Sequence, residues 1–294
     1  MAALTALTAH TTPSSTVQFQ SSFVIQNVSE QDWATTGSNL NKHFDFLVVA
    51  DSHGRAGNQY FVELLKNIDW HDFLEQDNWQ QELIDRTRGK ETSKLGSTLT
   101  VWKIFEERFE CSWIGDSSGK IWAFEEDGKT RFTWKTKDHD YNNKDDYETM
   151  MTALVDFPNF THKATWDIQA VSAERMLSVK SKMFKIDTES INMTRALGHM
   201  GLFSKLGFQT VQVPRIKNLT YKIVTASDGF WQVMSDKDEA FISDKNCFAQ
   251  RLATAARARW EQKWEHDNSM GTVVKNIKIP SSNWDDVAVA TWSN

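Results

Sequence analysis

Asp51, Asp228 and Asp285 share one local setting. Asp51 ends the apolar run Phe44 to Ala50 and is followed by Ser52-His53-Gly54. Asp228 follows the apolar run Tyr221 to Ala226 and Ser227, and precedes Gly229; Asp285, with Asp286, stands just ahead of the apolar run Val287 to Trp292. Carboxylates at strand ends beside small residues can gather oxygen ligands. Hard cations such as Mg²⁺ and Mn²⁺ take carboxylates, carbonyls and water in octahedral geometry. An Asp at a strand end also caps a turn or a following helix, which is the commoner use of any single one. Three such ends leave both readings open, because one sequence does not display convergence in space.

The elements that must position these residues follow from periodicity. Val17, Phe19, Phe23 and Ile25 alternate as on a half-buried strand. Helical spacing runs through Tyr60, Phe61, Leu64, Leu65 and Ile68, then from Phe73 to Ile84. Thr98 to Trp113, Lys120 to Phe124 and Thr130 to Thr136 read as a strand meander with a turn at Asp127-Gly128. Tyr147 to Asp156 reads as a helix, and Met176 to Ile186 and Val211 to Ile216 as strands. The clearest helix runs from Phe248 to about Glu265, with Phe248, Leu252, Ala256, Trp260 and Trp264 as its inward stripe. Strand meanders interrupted by helices predict an α+β fold, two packed antiparallel sheets with helices on them. Proline is scarce and no linker-like run occurs, so one domain over residues 17–294 is expected after a polar tail over 1–16.

Composition narrows the function. The chain has 294 residues, a formal charge of −6, 40% hydrophobic residues and 12% aromatics, which excludes a disordered chain. Net acidity argues against nucleic-acid binding, since phosphate affinity needs clustered Lys and Arg. Cys111 and Cys247 are the only cysteines, too few for a zinc site or disulfide framework, and a reducing compartment is the default. No apolar run approaches the ~20 residues of a membrane span, and the start lacks the features of a signal peptide. The expectation is a cytoplasmic or nuclear monomer with no membrane partner. Neither a Cys-x5-Arg signature nor a Gly-x-Ser-x-Gly elbow is present, which leaves out thiolate and serine-nucleophile hydrolases.

Seven short motifs then line up in order: Asp51-Ser52-His53-Gly54, Gly96-Ser97-Thr98, Gly115-Asp116-Ser117, Thr136-Lys137-Asp138-His139 with Glu148 further on, Thr194-Arg195-Ala196-Leu197-Gly198, Ala226-Ser227-Asp228-Gly229-Phe230-Trp231, and Asp285-Asp286-Val287-Ala288-Val289. In order and spacing they resemble the metal-dependent protein phosphatases, the type-2C Ser/Thr phosphatases. The resemblance implies two packed antiparallel sheets flanked by helix pairs, and hydrolysis of phosphoserine and phosphothreonine in protein substrates by a water bridging two Mg²⁺ or Mn²⁺ ions. It implies that Asp51 bridges both ions, that the Ser52 carbonyl binds the first, and that Asp228 and Asp285 bind the second. Glu30-Gln31-Asp32 resembles a segment that holds metal-bound water, which makes Asp32 and Gln31 outer-sphere ligands. Asp138 matches a looser third metal site, and His53 matches the general acid that protonates the leaving alkoxide.

The chain also departs from that pattern. Asn27 stands where an Arg usually grips the substrate phosphate, so the phosphate-binding group is unassigned. Arg55 replaces a second Gly and is expected to be solvated. Gln232 stands where many members carry an Asp, Ser118 where they carry Arg, His199 where they carry Asp, and Asp286 where they carry Asn. Gly96, Gly115, Asp116 and Arg195 read as structural, as turns and buried polar anchors. The preferred reading is an enzyme. The alternative is a catalytically impaired phosphatase-like binding or regulatory protein. Residues 142–146 and 161–173 read as loops and are, by position, the candidate specificity elements.

Overall fold

The computed structural model describes residues 20–26, 28–39, 44–54, 59–89, 92, 94–154, 160–186, 189–268 and 271–294. The tail 1–16, Val17, Phe19, Asn27 and Arg55 lie outside the described residues. No described helix is long and apolar enough to cross a membrane.

The nearly continuous apolar run before Asp51 has a physical reason. The strand Phe44–Gly54 is covered on both faces, so it carries apolar side chains at odd and even positions alike. Leu47 and Val49 point inward, to a core shared with Trp102, Ile104, Ile223, Ala288, Ala290 and Trp292. Phe46, Val48 and Ala50 point outward, to a layer with Phe61, Leu65, Phe73, Trp79 and Leu83 from the helices Tyr60–Lys66, Trp70–Phe73 and Trp79–Arg86.

Two sheets enclose that inner core. One is seven-stranded: Leu197–Gly198, Leu95–Ser97, Phe44–Gly54, Leu99–Phe105, Arg108–Ile114 and Gln209–Pro214 in order, with Asp32–Asn39 also paired on Phe44–Gly54. The other is five-stranded: Gln20–Gln26, Val287–Ser293, Thr220–Ala226, Ser118–Phe124 and Thr130–Lys135. Its outer face is sealed by Leu252, Ala253, Ala256 and Trp260 of the helix Ala249–Glu261, packed on Val24, Val224, Val287 and Val289. Every pairing within these two sheets is antiparallel. The expected α+β sandwich of two packed antiparallel sheets with flanking helices is therefore present.

Three local readings need correction. The stretch 161–173, read as loop, contains the strand Phe160–Ala170, paired along its length with Arg175–Ile186 in a third sheet that also holds Lys263–Asp267 and Val273–Lys278. Phe160–Ala170 gave little hydrophobic signal because it is partly solvated, with Trp166 more than half exposed. The helix expected to reach Glu265 stops at Glu261, where Gln262 turns to extended backbone. Trp264 keeps its buried place from the strand Lys263–Asp267, its Nε1 donating to the Arg259 carbonyl at 3.0 Å. The segment 142–146, expected as a loop, starts the helix Lys144–Leu154.

Candidate metal centre

The two sandwich sheets bring their strand ends together at one edge. Asp32 opens the strand Asp32–Asn39 directly opposite Asp51 in the antiparallel register. Asp51 is fixed through its backbone: its carbonyl accepts from Thr98 N at 2.8 Å and Ser97 Oγ at 3.2 Å, and its N–H donates to Thr98 Oγ1 at 3.1 Å. From the second sheet, Ser227 N donates to the Ala288 carbonyl at 3.0 Å and Ala288 N donates to Ser227 Oγ at 3.0 Å. These bonds tie Asp228 to Asp285. Gly229 makes that approach feasible, since a Cβ there would fall 2.1 Å from the Asp286 carbonyl oxygen and 2.9 Å from Asp285 Cβ.

The electrostatics follow from this convergence. Loss of solvent, then the charges of Asp32, Asp228 and Asp285, push the Asp51 carboxyl well above the usual carboxylate range. Burial and the neighbouring carboxylates do the same to Asp32 and Asp285. Asp228 is pushed up to about 7 by burial and then by Asp116. Asp116, read from sequence as structural, belongs to the same field: burial and then Asp138 push it up to about 7. Its strand-end position after Arg108–Ile114 repeats the pattern of Asp51 and Asp228, and that was the signal available. His139 holds its turn, as Gly115 N donates to His139 Nδ1 at 3.1 Å and Gly115 O accepts from His139 N at 3.0 Å.

The donor set suits a hard cation. Asp32 Oδ2, Asp116 Oδ1 and Asp228 Oδ1 are shut away from solvent without a hydrogen-bond partner. Enclosed anionic oxygens left unpaired cost free energy unless a cation or a proton meets them. Their type and orphaned state fit Mg²⁺ or Mn²⁺, although among the described residues no three His, Cys, Asp or Glu side chains already form a closed cage.

The remaining sequence candidates fall around this cluster. Ser52 is buried, and its N–H donates to the Gln31 carbonyl at 3.0 Å. The Gln31 side chain accepts from Ser29 Oγ at 3.0 Å. Asp138 accepts from Ser118 Oγ and stands 3.7 Å from Lys135 Nζ. With Asp116, Asp140, Asp167 and Asp228 it lines a cavity of 520 Å³ beside the cluster, closed on one side by the third sheet. Gln232 Nε2 donates to Asp228 Oδ2 at 2.8 Å, occupying one oxygen of that carboxylate. His53 Nε2 lies 2.8 Å from His199 Nε2, and burial lowers the His53 pKa to about 4, opposed only by a backbone hydrogen bond to Asp51.

Two structural partners were not legible in the motifs. Asp286 is fully buried and clasps the segment ahead of Asp32: its carboxylate accepts from the N–H groups of Val28, Ser29 and Gln31 and from Ser29 Oγ. Glu148, expected to accompany the Thr136–His139 motif, is exposed and 3.7 Å from Lys144. The buried acid is Asp146, which accepts from Arg195 Nε at 2.9 Å and Nη2 at 2.6 Å.

Comparison with known proteins agrees with this fold. A "Structure of a C.elegans sex determining protein" is matched with TM-score 0.53 and 19% identity over 93% of this chain, which spans 64% of that one. Serine-threonine phosphatase 2C from Toxoplasma gondii is matched with TM-score 0.57 and 12% identity over 97% of this chain and 99% of that one. The catalytic domain of the serine/threonine phosphatase PstP, solved with two manganese ions, is matched with TM-score 0.50 and 16% identity over 93% and 97% of the two chains. No curated protein matches the sequence. At these identities the solved structures establish the fold alone. The sequence model of protein phosphatase 2C matches residues 31–259, most of the chain and all the strand-end carboxylates except Asp285, and the chain belongs to that family.

Proposed function

We propose that the chain hydrolyses phosphoserine and phosphothreonine in protein substrates, with two divalent cations, Mg²⁺ or Mn²⁺, as cofactors. One observation carries this reading: carboxylates from four separate strand ends, Asp32, Asp51, Asp228 and Asp285, converge, so that in addition to burial Asp32, Asp228 and Asp285 all push up the pKa of the buried Asp51, and Asp285 and Asp228 push up that of Asp32. Asp51, the Ser52 carbonyl, Asp228 and Asp285 would hold the cations, with Asp32 and Gln31 behind them and Asp138 and Asp116 at a looser site. When bound, the cations supply positive charge that activates water and neutralises phosphoryl oxygens.

The chain's own residues do the rest. Asp286 and Ser227 hold the two carboxylate-bearing edges in contact. His53, at the end of the Asp51 strand, would be the group that gives a proton to the serine or threonine oxygen as its bond to phosphorus breaks, acting in its protonated form. Water adds to phosphorus, and orthophosphate and the free hydroxyl leave. The partners are phosphorylated proteins met by a monomer.

A second reading has one observation in its favour. The Gln232 amide spends an oxygen of Asp228 that a catalytic ion would need, as in a phosphatase-like protein that binds without turnover. Hydrolysis of a phosphothreonine peptide and of an aryl phosphate, each with Mn²⁺ and with chelator, separates the two. The enzyme reading expects Mn²⁺-dependent turnover abolished by Asp228→Ala. Absence of turnover at millimolar Mn²⁺ sinks it.

A further inference from the structure

The third sheet treats its two outer edges differently. One edge is Val273–Lys278, six residues long, with Asn276 in left-handed backbone, φ 60°, and an irregular register against Lys263–Asp267. Short strands and bulges keep an edge from pairing with another chain. The other edge is Phe160–Ala170, 11 residues long and paired without a register shift to Arg175–Ile186. No other described strand pairs with it. It contains no proline, and Lys163 is its only lysine.

That open edge leads to the candidate metal centre. Asp167, Ile168, Gln169 and Ala170 line the cavity that also holds Asp138 and Asp228. At the end of the strand, Ala170 N donates to the Gln232 carbonyl at 2.8 Å and Gln169 Nε2 to the Trp231 carbonyl at 3.0 Å. The hairpin is also a basic place in an acidic chain. Lys163, Lys180, Lys182 and Lys185 are exposed, and none forms an ion pair among the described residues. Lys180 stands directly opposite Trp166, itself 52% exposed, and Lys182 stands opposite Ala164.

We propose that this edge takes up the substrate's own chain: the extended segment that follows the phosphorylated residue adds as a strand to Phe160–Ala170, with acidic side chains toward the hairpin lysines. The inference deepens the phosphatase reading above and rests on it for the identity of the occupant. In strand addition, main-chain hydrogen bonds give affinity and alternate side chains give specificity. Antiparallel pairing is the more stable kind. Because Phe160–Ala170 runs toward the cavity, an antiparallel partner starts at the cavity and runs away from it. The phosphorylated residue then stands at the N-terminal end of the added segment. An anionic membrane fits less well. The chain carries −6 overall, so a wide negative surface meets repulsion from the rest of it, whereas a peptide touches the hairpin alone.

The test uses the full chain with Mn²⁺ and phosphothreonine peptides extended on their C-terminal side by about six residues, the length of an ordinary strand. Glutamates in the extension should lower KM relative to lysines, with little change in kcat. N-methylation of alternate amides is the decisive measurement, because only every second N–H of an added strand faces its neighbour. One alternate set should raise KM about tenfold, and the other less than about twofold. Lys180→Glu combined with Lys182→Glu should cancel the preference for glutamate and leave hydrolysis of nitrophenyl phosphate unchanged, which shows that the variant folds. Equal effects of the two methylation sets, an extension that works better before the phosphothreonine than after it, or an intact glutamate preference in the double variant overturns the proposal. So does capture of phosphatidylserine vesicles that the double variant loses while its peptide kinetics stay those of the wild type. Wild-type protein that turns over neither peptide nor nitrophenyl phosphate overturns the phosphatase reading itself. The anisotropy of dye-labelled peptides then still tests the edge, through the same methylation pattern.

Discussion

Asp32 and Asp51 stand directly opposite each other across two antiparallel strands, so two carboxylates occupy a place where like charges oppose sheet pairing. Asp32→Asn should therefore stabilise the chelated protein at pH 8, by about 1 kcal/mol on the scale of cross-strand pairs. It should also weaken Mn²⁺ binding about tenfold, the usual cost of losing an outer-sphere partner. Thermal unfolding with chelator and across a Mn²⁺ titration measures both effects. An identical Mn²⁺ response in variant and wild type would remove Asp32 from the ion's surroundings.

Gln232 makes a second lever on the same site. Gln232→Asp exchanges an amide donor on Asp228 for a carboxylate beside it, which adds repulsion without metal and a ligand with it. The chelated variant should melt several degrees below wild type. Its rise in Tm on adding Mn²⁺ should be larger than that of wild type, and calorimetric titration should register at least one additional bound ion. An unchanged stoichiometry would leave Gln232 with a purely structural part.

Asp146 and Glu148 should behave oppositely although they are two residues apart. Asp146 is buried against Arg195, whose Nη1 also donates to the carbonyls of Leu206 and Gly207 at 3.2 Å each. Asp146→Ala strands that guanidinium without its counter-charge and should cost about 3–5 kcal/mol. Glu148→Ala removes an exposed pair and should change stability by less than about 0.5 kcal/mol. Denaturant unfolding of the two variants gives the comparison, and comparable losses would contradict the burial argument.

Lys222 offers a pH test away from the metal centre. Its Nζ is buried and donates to the Cys247 carbonyl at 2.8 Å, and burial pulls its pKa down to about 8. An unfolded lysine titrates near ~10.4. Between those values the unfolded chain binds more protons than the folded one, so the stability of the wild type rises with pH across that window; below about 8 the buried charge weighs against folding. Lys222→Met should lack this slope. Its stability relative to wild type should fall by roughly 3 kcal/mol from pH 7 to pH 10.5, since each tenfold change in proton affinity is worth about 1.4 kcal/mol. A pH-independent difference between the two proteins would refute the lowered lysine pKa.

The parts legible in the sequence were those that bury apolar surface on both faces of a strand. The runs before Asp51 and Asp228 and after Asp285 stood out because Phe44–Gly54, Thr220–Ala226 and Val287–Ser293 are interior strands. Asp116 carried the same strand-end signal less clearly, since Arg108–Ile114 alternates with polar Glu110 and Ser112. Of the third sheet's hairpin only Arg175–Ile186 was legible; its partner Phe160–Ala170 carries Thr, Lys and Asp among its apolar residues, without a clean period. The Asp286 clasp had no sequence signature at all. Its partners are largely backbone N–H groups, 255 to 258 positions away in the chain. The His53–His199 contact was equally silent, because it depends on what Gly96 does not carry.

The placement of Val287–Ser293 bears on how the protein is made. This strand lies between Gln20–Gln26 and Thr220–Ala226, although it is the last described strand to leave the ribosome. Chains generally begin folding from the N-terminal side during synthesis. Here Gln20–Gln26 has no sheet neighbour until the residues after Asp285 emerge. The helical layer over Phe44–Gly54 can settle early, whereas Asp285, one of the proposed cation ligands, is made after the other candidate carboxylates. A nascent chain stalled before Asp285 would expose an unpaired Thr220–Ala226 edge and lack one of the carboxylates assigned to the metal, so assembly and metal loading should be one late event.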